Sequence, residues 1–351
     1  MKPLRVIQWA TGNVGRSALR AIALDPKLEL TGVLVTNPEK AGQDAGALCK
    51  RDPMGVAATA DVEEIVAMDA DCVLHMPLPS IRYGSDPDAD VKNICRLLES
   101  GKDVVTTVGY VYPKAYGPEL VERFEDACAK GRSSLHGTGV NPGWMGELLP
   151  LTMSAMCSRI DQVYVMESTE FSGYPSRDVI LNMMGFGKPP EEFERESKRY
   201  RDWLSGLFCE SVEMIADGLS VELDEIERTA EFELAPETFD IAAGTIEAGT
   251  MAAQRFRWSG IAGGERRIVL EAVYRARRDL VPEWPDVGGT VRIDGRPKIS
   301  FELEEGWISN GLVGTALHAV HAVPHVCAAE PGIRTFLDLP LITGRHTVAS
   351  T

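Results

Sequence analysis

Ala10-Thr11-Gly12-Asn13-Val14-Gly15 places small residues at the first, third and sixth positions of a six-residue stretch. That spacing suits a backbone turn that must let an anionic group come close. Gly12 removes the Cβ that would meet a pyrophosphate, and Gly15 lets the following helix press on the preceding strand. The start of that helix offers N–H groups and the positive end of its dipole. The chemistry is dinucleotide binding, with alanine in place of the usual first glycine. A second position reports on the cofactor. Val35-Thr36-Asn37-Pro38 closes the next strand without a carboxylate, and Glu39 comes only after the proline. An NAD-selective site usually holds Asp or Glu there for the ribose 2′-hydroxyl. Without one, a 2′-phosphate meets no repulsion, and Arg16 or Lys40 can supply positive charge. NADP is therefore favoured and NAD remains open.

Other side chains could act on a substrate. The Tyr174 phenol can donate a proton, or simply wall a pocket. Glu147, six residues past Asn141, is either a working carboxylate or an acid at a helix start, where the dipole favours it. Tyr110 and His136 are weaker candidates of the same kind. His318, His321 and His325 share one helical face, yet no carboxylate completes a ligand set, so no metal is expected.

These residues need elements to hold them. Leu4–Ala10 is strand-forming and breaks into Thr11-Gly12-Asn13, and Val14, Ala18, Ala21 and Ile22 follow at a helical period. Strands at Leu28–Val35, Cys72–Met76, Asp103–Thr107 and Ser133–His136 alternate with helices at Val62–Met68, Asp90–Ser100 and Pro118–Lys130. Asp61 caps the first of these helices, and Gly101 and Gly131 are expected to stop the other two. Such alternation predicts an α/β, Rossmann-type doubly wound parallel sheet. After Pro142-Gly143 it ends. A strand is expected at Gln162–Phe171, a long helix at Glu191–Ala216, and strands at Leu219–Phe232, Ile241–Trp258, Glu265–Arg275 and Thr290–Leu303. This predicts a second, α+β domain on a mostly antiparallel mixed sheet. The expected division is a dinucleotide-binding domain over 1–145, a substrate and dimerisation domain over 146–312, and a C-terminal segment over 313–351. The apolar run Ala316–Ala329 packs that segment back on the first domain, and Pro324 is expected to interrupt its helix.

Composition narrows the partners. The 351 residues carry 36 Lys and Arg against 52 Asp and Glu, a net charge of −16. That charge repels phosphate backbones and anionic lipid, so neither nucleic acid nor membrane is an expected partner. The densest cationic run, Arg266-Arg267 through Arg275, Arg277 and Arg278, reads as a solvated strand face. No secretion signal is recognisable, and no run approaches the ~18 apolar residues of a membrane helix. Seven scattered cysteines without a C-x-x-C pair fit reduced thiols in a cytoplasmic protein.

Four motifs, in order, carry a resemblance: Gln8–Arg16, Gly137-Thr138-Gly139-Val140-Asn141-Pro142-Gly143, Phe171-Ser172-Gly173-Tyr174, and Ala322–Ala329. Together they resemble the dihydrodipicolinate-reductase-like group that includes diaminopentanoate dehydrogenase and the native amine dehydrogenases. The resemblance implies a Rossmann domain, a mixed second domain that dimerises, and NAD(P)-dependent chemistry on a C=O, C=N or reduced counterpart of a small molecule. It implies cofactor contacts at Ala10, Thr11, Gly12, Asn13 and Val14, joined by Asn37. It also implies nicotinamide-side contacts at Met76, Pro77, Thr106 and Thr107, and at Gly139 and Asn141. Tyr174 then lines the substrate pocket with Val108, Asn141 and Trp144. Amine dehydrogenases of this group carry a glutamate where Val108 stands, and a valine cannot hold an ammonium. The histidine pair and lysine of the dihydrodipicolinate reductases are also lacking. The expectation is an NAD(P)H-dependent reductase of a small carbonyl or imine compound. Reductive amination without the usual glutamate, and a nucleotide-binding sensor that has lost catalysis, remain as alternatives.

Overall fold

The structure is a computed structural model and describes residues 2–348. In chain order the elements of the first part are β1 (Leu4–Trp9), α1 (Asn13–Ile22), β2 (Leu28–Leu34), α2 (Ala45–Cys49), β3 (Ala58–Thr59), α3 (Val62–Ala67), β4 (Cys72–His75), α4 (Ser80–Tyr83), α5 (Ala89–Glu99), β5 (Asp103–Thr106), α6 (Pro118–Gly131) and β6 (Ser134–Gly137). Next come α7 (Leu149–Ser154), β7 (Arg159–Glu170), α8 (Pro190–Glu196), α9 (Lys198–Gly218), β8 (Glu225–Leu234), β9 (Phe239–Ile241), β10 (Gly244–Ile246), β11 (Met251–Ala262), β12 (Glu265–Arg275), β13 (Gly288–Arg296) and β14 (Ile299–Leu303). The described chain ends with α10 (Glu305–Ser309), α11 (Gly311–Val326) and β15 (Gly332–Ile333). Two compact units emerge. One holds the chain up to Trp144 together with the part from Asn310 onward, and the other holds Met145–Ser309.

The first unit is a seven-stranded parallel sheet in the order β15-β6-β5-β4-β1-β2-β3. Val6, Ile7, Val73, Leu74, Val104 and Val105 have no exposed surface, as strands buried on both faces require. The strand order reverses between β1 and β4. In such sheets the crevice outside the carboxyl ends at that point is where ligands bind. α11 lies along α1, and β15 extends the sheet beyond β6. As expected, the Asp61 carboxylate caps α3, accepting from the Glu63 N–H at 2.8 Å.

Two expectations about helices in this unit are corrected. α6 does not stop at Gly131. It includes that residue, and Arg132 turns left-handed at φ 54° instead. Gly131 is glycine because a Cβ there would come within 1.8 Å of the Leu98 carbonyl oxygen. Pro324 does not interrupt α11, which runs on to Val326. In the last turn the ring costs only one helical hydrogen bond, and the Cys327 N–H still reaches the Val323 carbonyl.

The second unit is a six-stranded sheet, β14-β13-β7-β12-β11-β8. All its pairings are antiparallel except β7 with β12. α9 packs on β11 and β12. Phe208 stacks on Trp258 with ring centroids 4.3 Å apart, and the Trp258 indole N–H donates to Ser205 Oγ at 3.1 Å. Such a stack adds about 0.5–1.5 kcal/mol beyond its burial.

The single strand expected over Ile241–Trp258 is broken. Gly244 at φ 146° and Gly249 at φ 77° divide it into a short β9–β10 hairpin and the long β11. The long helix divides at Ser197, which ends α8 and opens α9. The arginine-rich run is not a uniformly solvated face. Arg275 is 2% exposed, donating to Leu280 and Val281 carbonyls and to Ser168 Oγ. Arg266, Arg277 and Arg278 pair with Glu227, with Glu237 and Asp279, and with Asp286 and Glu305. No helix among the described residues is long and apolar enough to cross a membrane.

Candidate active site

The turn after β1 is built for close approach. Ala10 has φ 73°, a left-handed conformation that costs a non-glycine residue roughly 1–2 kcal/mol. Three hydrogen bonds hold it there. Gln8 Nε2 donates to the Trp9 and Ala10 carbonyls at 3.1 and 3.0 Å, and the Ala10 N–H donates to Leu34 at 2.9 Å. Gln8 is fully buried and was not among the expected site residues. Its signal was the one polar side chain in Val6-Ile7-Gln8-Trp9. Gly15 is needed for packing, since a Cβ would lie 2.1 Å from the Ala10 carbonyl oxygen. Gly12 differs. It is exposed, at an ordinary φ of −70°, and a Cβ there would meet nothing within 4 Å. Its protein surroundings therefore do not require glycine, whereas a pyrophosphate laid against the turn would. α1 starts with no side-chain cap and no acidic residue in its first turn, so its leading N–H groups and dipole face outward unopposed. The cradle fits a dinucleotide.

Around it, Thr11 is buried while Asn13 is exposed and Val14 half-buried. The Asn37 side chain, exposed at the end of β2, accepts from the Glu39 N–H at 3.0 Å. Both expected cations lean on the phosphate turn. Lys40 Nζ is 3.5 Å from Thr11 Oγ1, and Arg16 donates to Asn13 Oδ1.

The other strand ends line up at the same edge. The Met76 N–H donates to Trp9, Thr107 to His75, and Thr138 to Thr106. Met76, Thr106 and Val108 are buried, and Pro77 and Thr107 are half-buried. Val108 turns its N–H to Thr106 Oγ1 at 3.4 Å. Thr106 Oγ1 also meets Nδ1 of His75 at 3.0 Å. The fully buried His75 ring, a residue the sequence hid in an apolar strand, packs on Trp9, and burial pushes its pKa down to about 4. After β6, a Cβ on Gly139 would lie 2.8 Å from the Pro142 carbonyl oxygen, and Trp144 donates its N–H to Gly139 at 2.9 Å. Gly143, at φ 131°, completes this tight loop around the half-buried Asn141. Tyr110 and His136 turn elsewhere. Tyr110 packs edge-on to Phe124 in the core, and His136 is fully buried with Nδ1 2.6 Å from the Arg334 carbonyl. His318 Nδ1 meets Thr138 Oγ1 at 2.7 Å.

The remaining candidates belong to the second unit. Tyr174 is half-buried, its ring edge-on to Phe171, which also meets Phe186 and Tyr274. Glu147 is fully buried just before α7 and accepts a hydrogen bond from the Ser211 hydroxyl of α9. A carboxylate so placed is held by its surroundings rather than offered to solvent.

Comparisons with known proteins agree along the chain. Residues 6–107 match the dihydrodipicolinate reductase N-terminus, and residues 145–349 match the 2,4-diaminopentanoate dehydrogenase C-terminal domain. An amine dehydrogenase of Streptomyces virginiae is 33% identical over 96% of both chains. A 2,4-diaminopentanoate dehydrogenase of Acetoanaerobium sticklandii is 28% identical over 66% of this chain and 64% of its own. The solved structure of an amine dehydrogenase from Mycobacterium smegmatis shares the fold, with a TM-score of 0.79 over 98% of each chain at 19% identity. The chain belongs to the 2,4-diaminopentanoate dehydrogenase family and is an NAD(P)-dependent oxidoreductase.

Proposed function

We propose that the protein is an NADPH-preferring reductase of the carbonyl or imine carbon of a small, fairly apolar compound, acting as a homodimer in the cytoplasm. The end of β2 carries the cofactor preference: no carboxylate stands at Val35–Asn37, and Lys40 and Arg16 both lean on the phosphate turn. Bound in this cradle, the cofactor supplies a hydride. Gly12 and the leading N–H groups of α1 would hold its phosphates, and Thr106, Thr107, Gly139 and Asn141 would flank the nicotinamide. A phenol such as that of Tyr174 can donate the proton that the reduced oxygen or nitrogen requires. The seven cysteines, all unpaired, suit a reducing compartment.

Val108 decides between substrates. Its buried isopropyl group offers no charge to gather ammonium, which favours reduction of a ready-made C=O or C=N bond. A second reading, reductive amination, is supported by the full-length likeness to the Streptomyces virginiae amine dehydrogenase. NADPH consumption with a panel of small aliphatic ketones, aldehydes and cyclic imines, with and without ammonium, tests both. Ammonium-independent turnover is expected. Turnover that requires ammonium would transfer the assignment to reductive amination. Tight NADPH binding without turnover on any substrate would point to a sensor.

A further inference from the structure

His75 is a fully buried imidazole at the end of a fully buried strand, and no function has yet been given to it. One nitrogen, Nδ1, is 3.0 Å from Thr106 Oγ1. The other, Nε2, has no hydrogen-bond partner and faces Asp90 Oδ1 at 3.8 Å. Asp90 is itself buried and held in place. Its Oδ2 accepts the Ser80 N–H at 2.6 Å, and its own N–H donates to Ser80 Oγ at 3.0 Å. On the far side, Thr106 Oγ1 accepts the Val108 N–H.

The protons can be assigned from this geometry. If Nδ1 carried the hydrogen, a bare Nε2 lone pair would face the Asp90 carboxylate, and the Thr106 hydroxyl would lose its acceptor. With the hydrogen on Nε2, the ring presents a positive edge to Asp90 and an acceptor to Thr106. The Thr106 hydroxyl then donates to His75, which leaves its oxygen lone pairs for the Val108 amide.

We propose that His75 is a positioning residue. Asp90 fixes it as the neutral Nε2–H tautomer, and it orients the Thr106 hydroxyl so that this group pins the turn carrying Val108. That the turn serves the nicotinamide and substrate rests on the proposed function; the tautomer and the pinning do not. A polar ring with one unpaired nitrogen is a poor choice for stability in a site that an apolar ring would fill. Its presence here is explained by what it does for Thr106.

The test uses the full-length protein with and without NADP⁺. Nitrogen-15 shifts of the His75 ring should report an Nε2–H imidazole at neutral pH. His75→Phe keeps an aromatic ring against Trp9, so thermal stability should be unchanged or higher. The Val108 amide should then exchange with solvent at least tenfold faster. Thr106→Val should give the same acceleration, and Thr106→Ser should restore slow exchange. The double variant His75→Phe/Thr106→Val should exchange no faster than Thr106→Val alone. An Nδ1–H tautomer, or Val108 exchange unchanged in His75→Phe, overturns the proposal. A His75→Phe protein that is destabilised, with exchange accelerated throughout the unit, shows a merely structural residue and overturns it too. Accelerated exchange confined to the turn in a protein that does not bind NADP⁺ supports the positioning role while removing the cofactor reading.

Discussion

Replacing Gly12 by valine separates what the fold needs from what the ligand needs. A Cβ at Gly12 meets nothing within 4 Å, and φ −70° is open to any residue. The cost to folding is therefore that of a poorer helix N-cap, about 1 kcal/mol. The cost to binding is larger. The side chain would stand where the pyrophosphate must approach, and would part it from the N–H groups that open α1. Two charge-assisted hydrogen bonds at ~1.5–3 kcal/mol each amount to about 3–6 kcal/mol. At ~1.4 kcal/mol per decade, that is two to four orders of magnitude in Kd. Gly15→Ala is the control. Its Cβ would press within 2.1 Å of a backbone oxygen that can move only by displacing the turn, so ~1–3 kcal/mol of stability should be lost. NADPH fluorescence titration and thermal unfolding by circular dichroism read both variants. Gly12→Val should unfold almost as the wild type does and bind at least a hundredfold more weakly. Gly12→Val binding within threefold of wild type would refute the placement of the phosphates. A Gly12→Val protein less stable than Gly15→Ala would refute the claim that its surroundings are open.

Three further outcomes are expected. Wild-type protein should bind NADPH more tightly than NADH; Asn37→Asp should reverse or abolish the preference by repelling the 2′-phosphate, and Lys40→Ala should weaken NADPH alone, by about tenfold for one charge contact. Tenfold tighter NADH binding by the wild type would contradict this. Val108→Glu should create or raise ammonium-dependent NADPH consumption with small ketones by roughly one to two orders of magnitude, for a charged hydrogen bond of ~1.5–3 kcal/mol. No gain in a folded, NADPH-binding variant would count against Val108 as the deciding residue. Burial lowers His75 and His136 to about 4 and His318 to about 3, so the fold keeps them neutral while the unfolded chain protonates below ~6.5. The stability they contribute is complete above ~6.5 and is lost as the pH falls toward 4. Asp103, raised to about 6 by burial, works in the opposite sense between ~3.8 and 6 and offsets part of it. Melting temperature should fall between pH 6.5 and 4.5, and His318→Phe should flatten that fall.

The turn between β1 and α1 was legible because its physics is local: a strand, small residues at fixed spacing and a helix start lie within one short stretch. Five strands of the parallel sheet were legible for a similar reason, since each ends where Gly, Pro or Asn breaks the apolar run; the two-residue β3 and β15 carry no such mark. The second unit was harder to read. Gly244 and Gly249 cut a continuous β-prone stretch, and only their left-handed backbone reveals the cut. Arg275 looked like one of several surface arginines because its acceptors lie across β7 and in the loop after β12. His75 lay in an apolar strand with nothing in its neighbourhood to mark it; its partners come from β5 and from the first turn of α5. Gly131 and Arg132 show the limit from the other side, where a contact with Leu98, distant in sequence, moves a helix stop by one residue.

The placing of α11 against α1 carries a consequence for how the molecule is made. α1 leaves the ribosome well before the helix lying along it, which begins at Gly311. At ~5–20 residues per second, the interval between Ile22 and Gly311 is on the order of 15–60 s. During that time a helix with buried positions at Ala18, Leu19 and Ile22 waits for its neighbour, and the edge of the sheet at β6 waits for β15. The second unit, contiguous in sequence, can close before the first is complete. Newborn chains should therefore pass through a stage in which the finished half is the one synthesised later, and the dinucleotide-binding half is a client for chaperones.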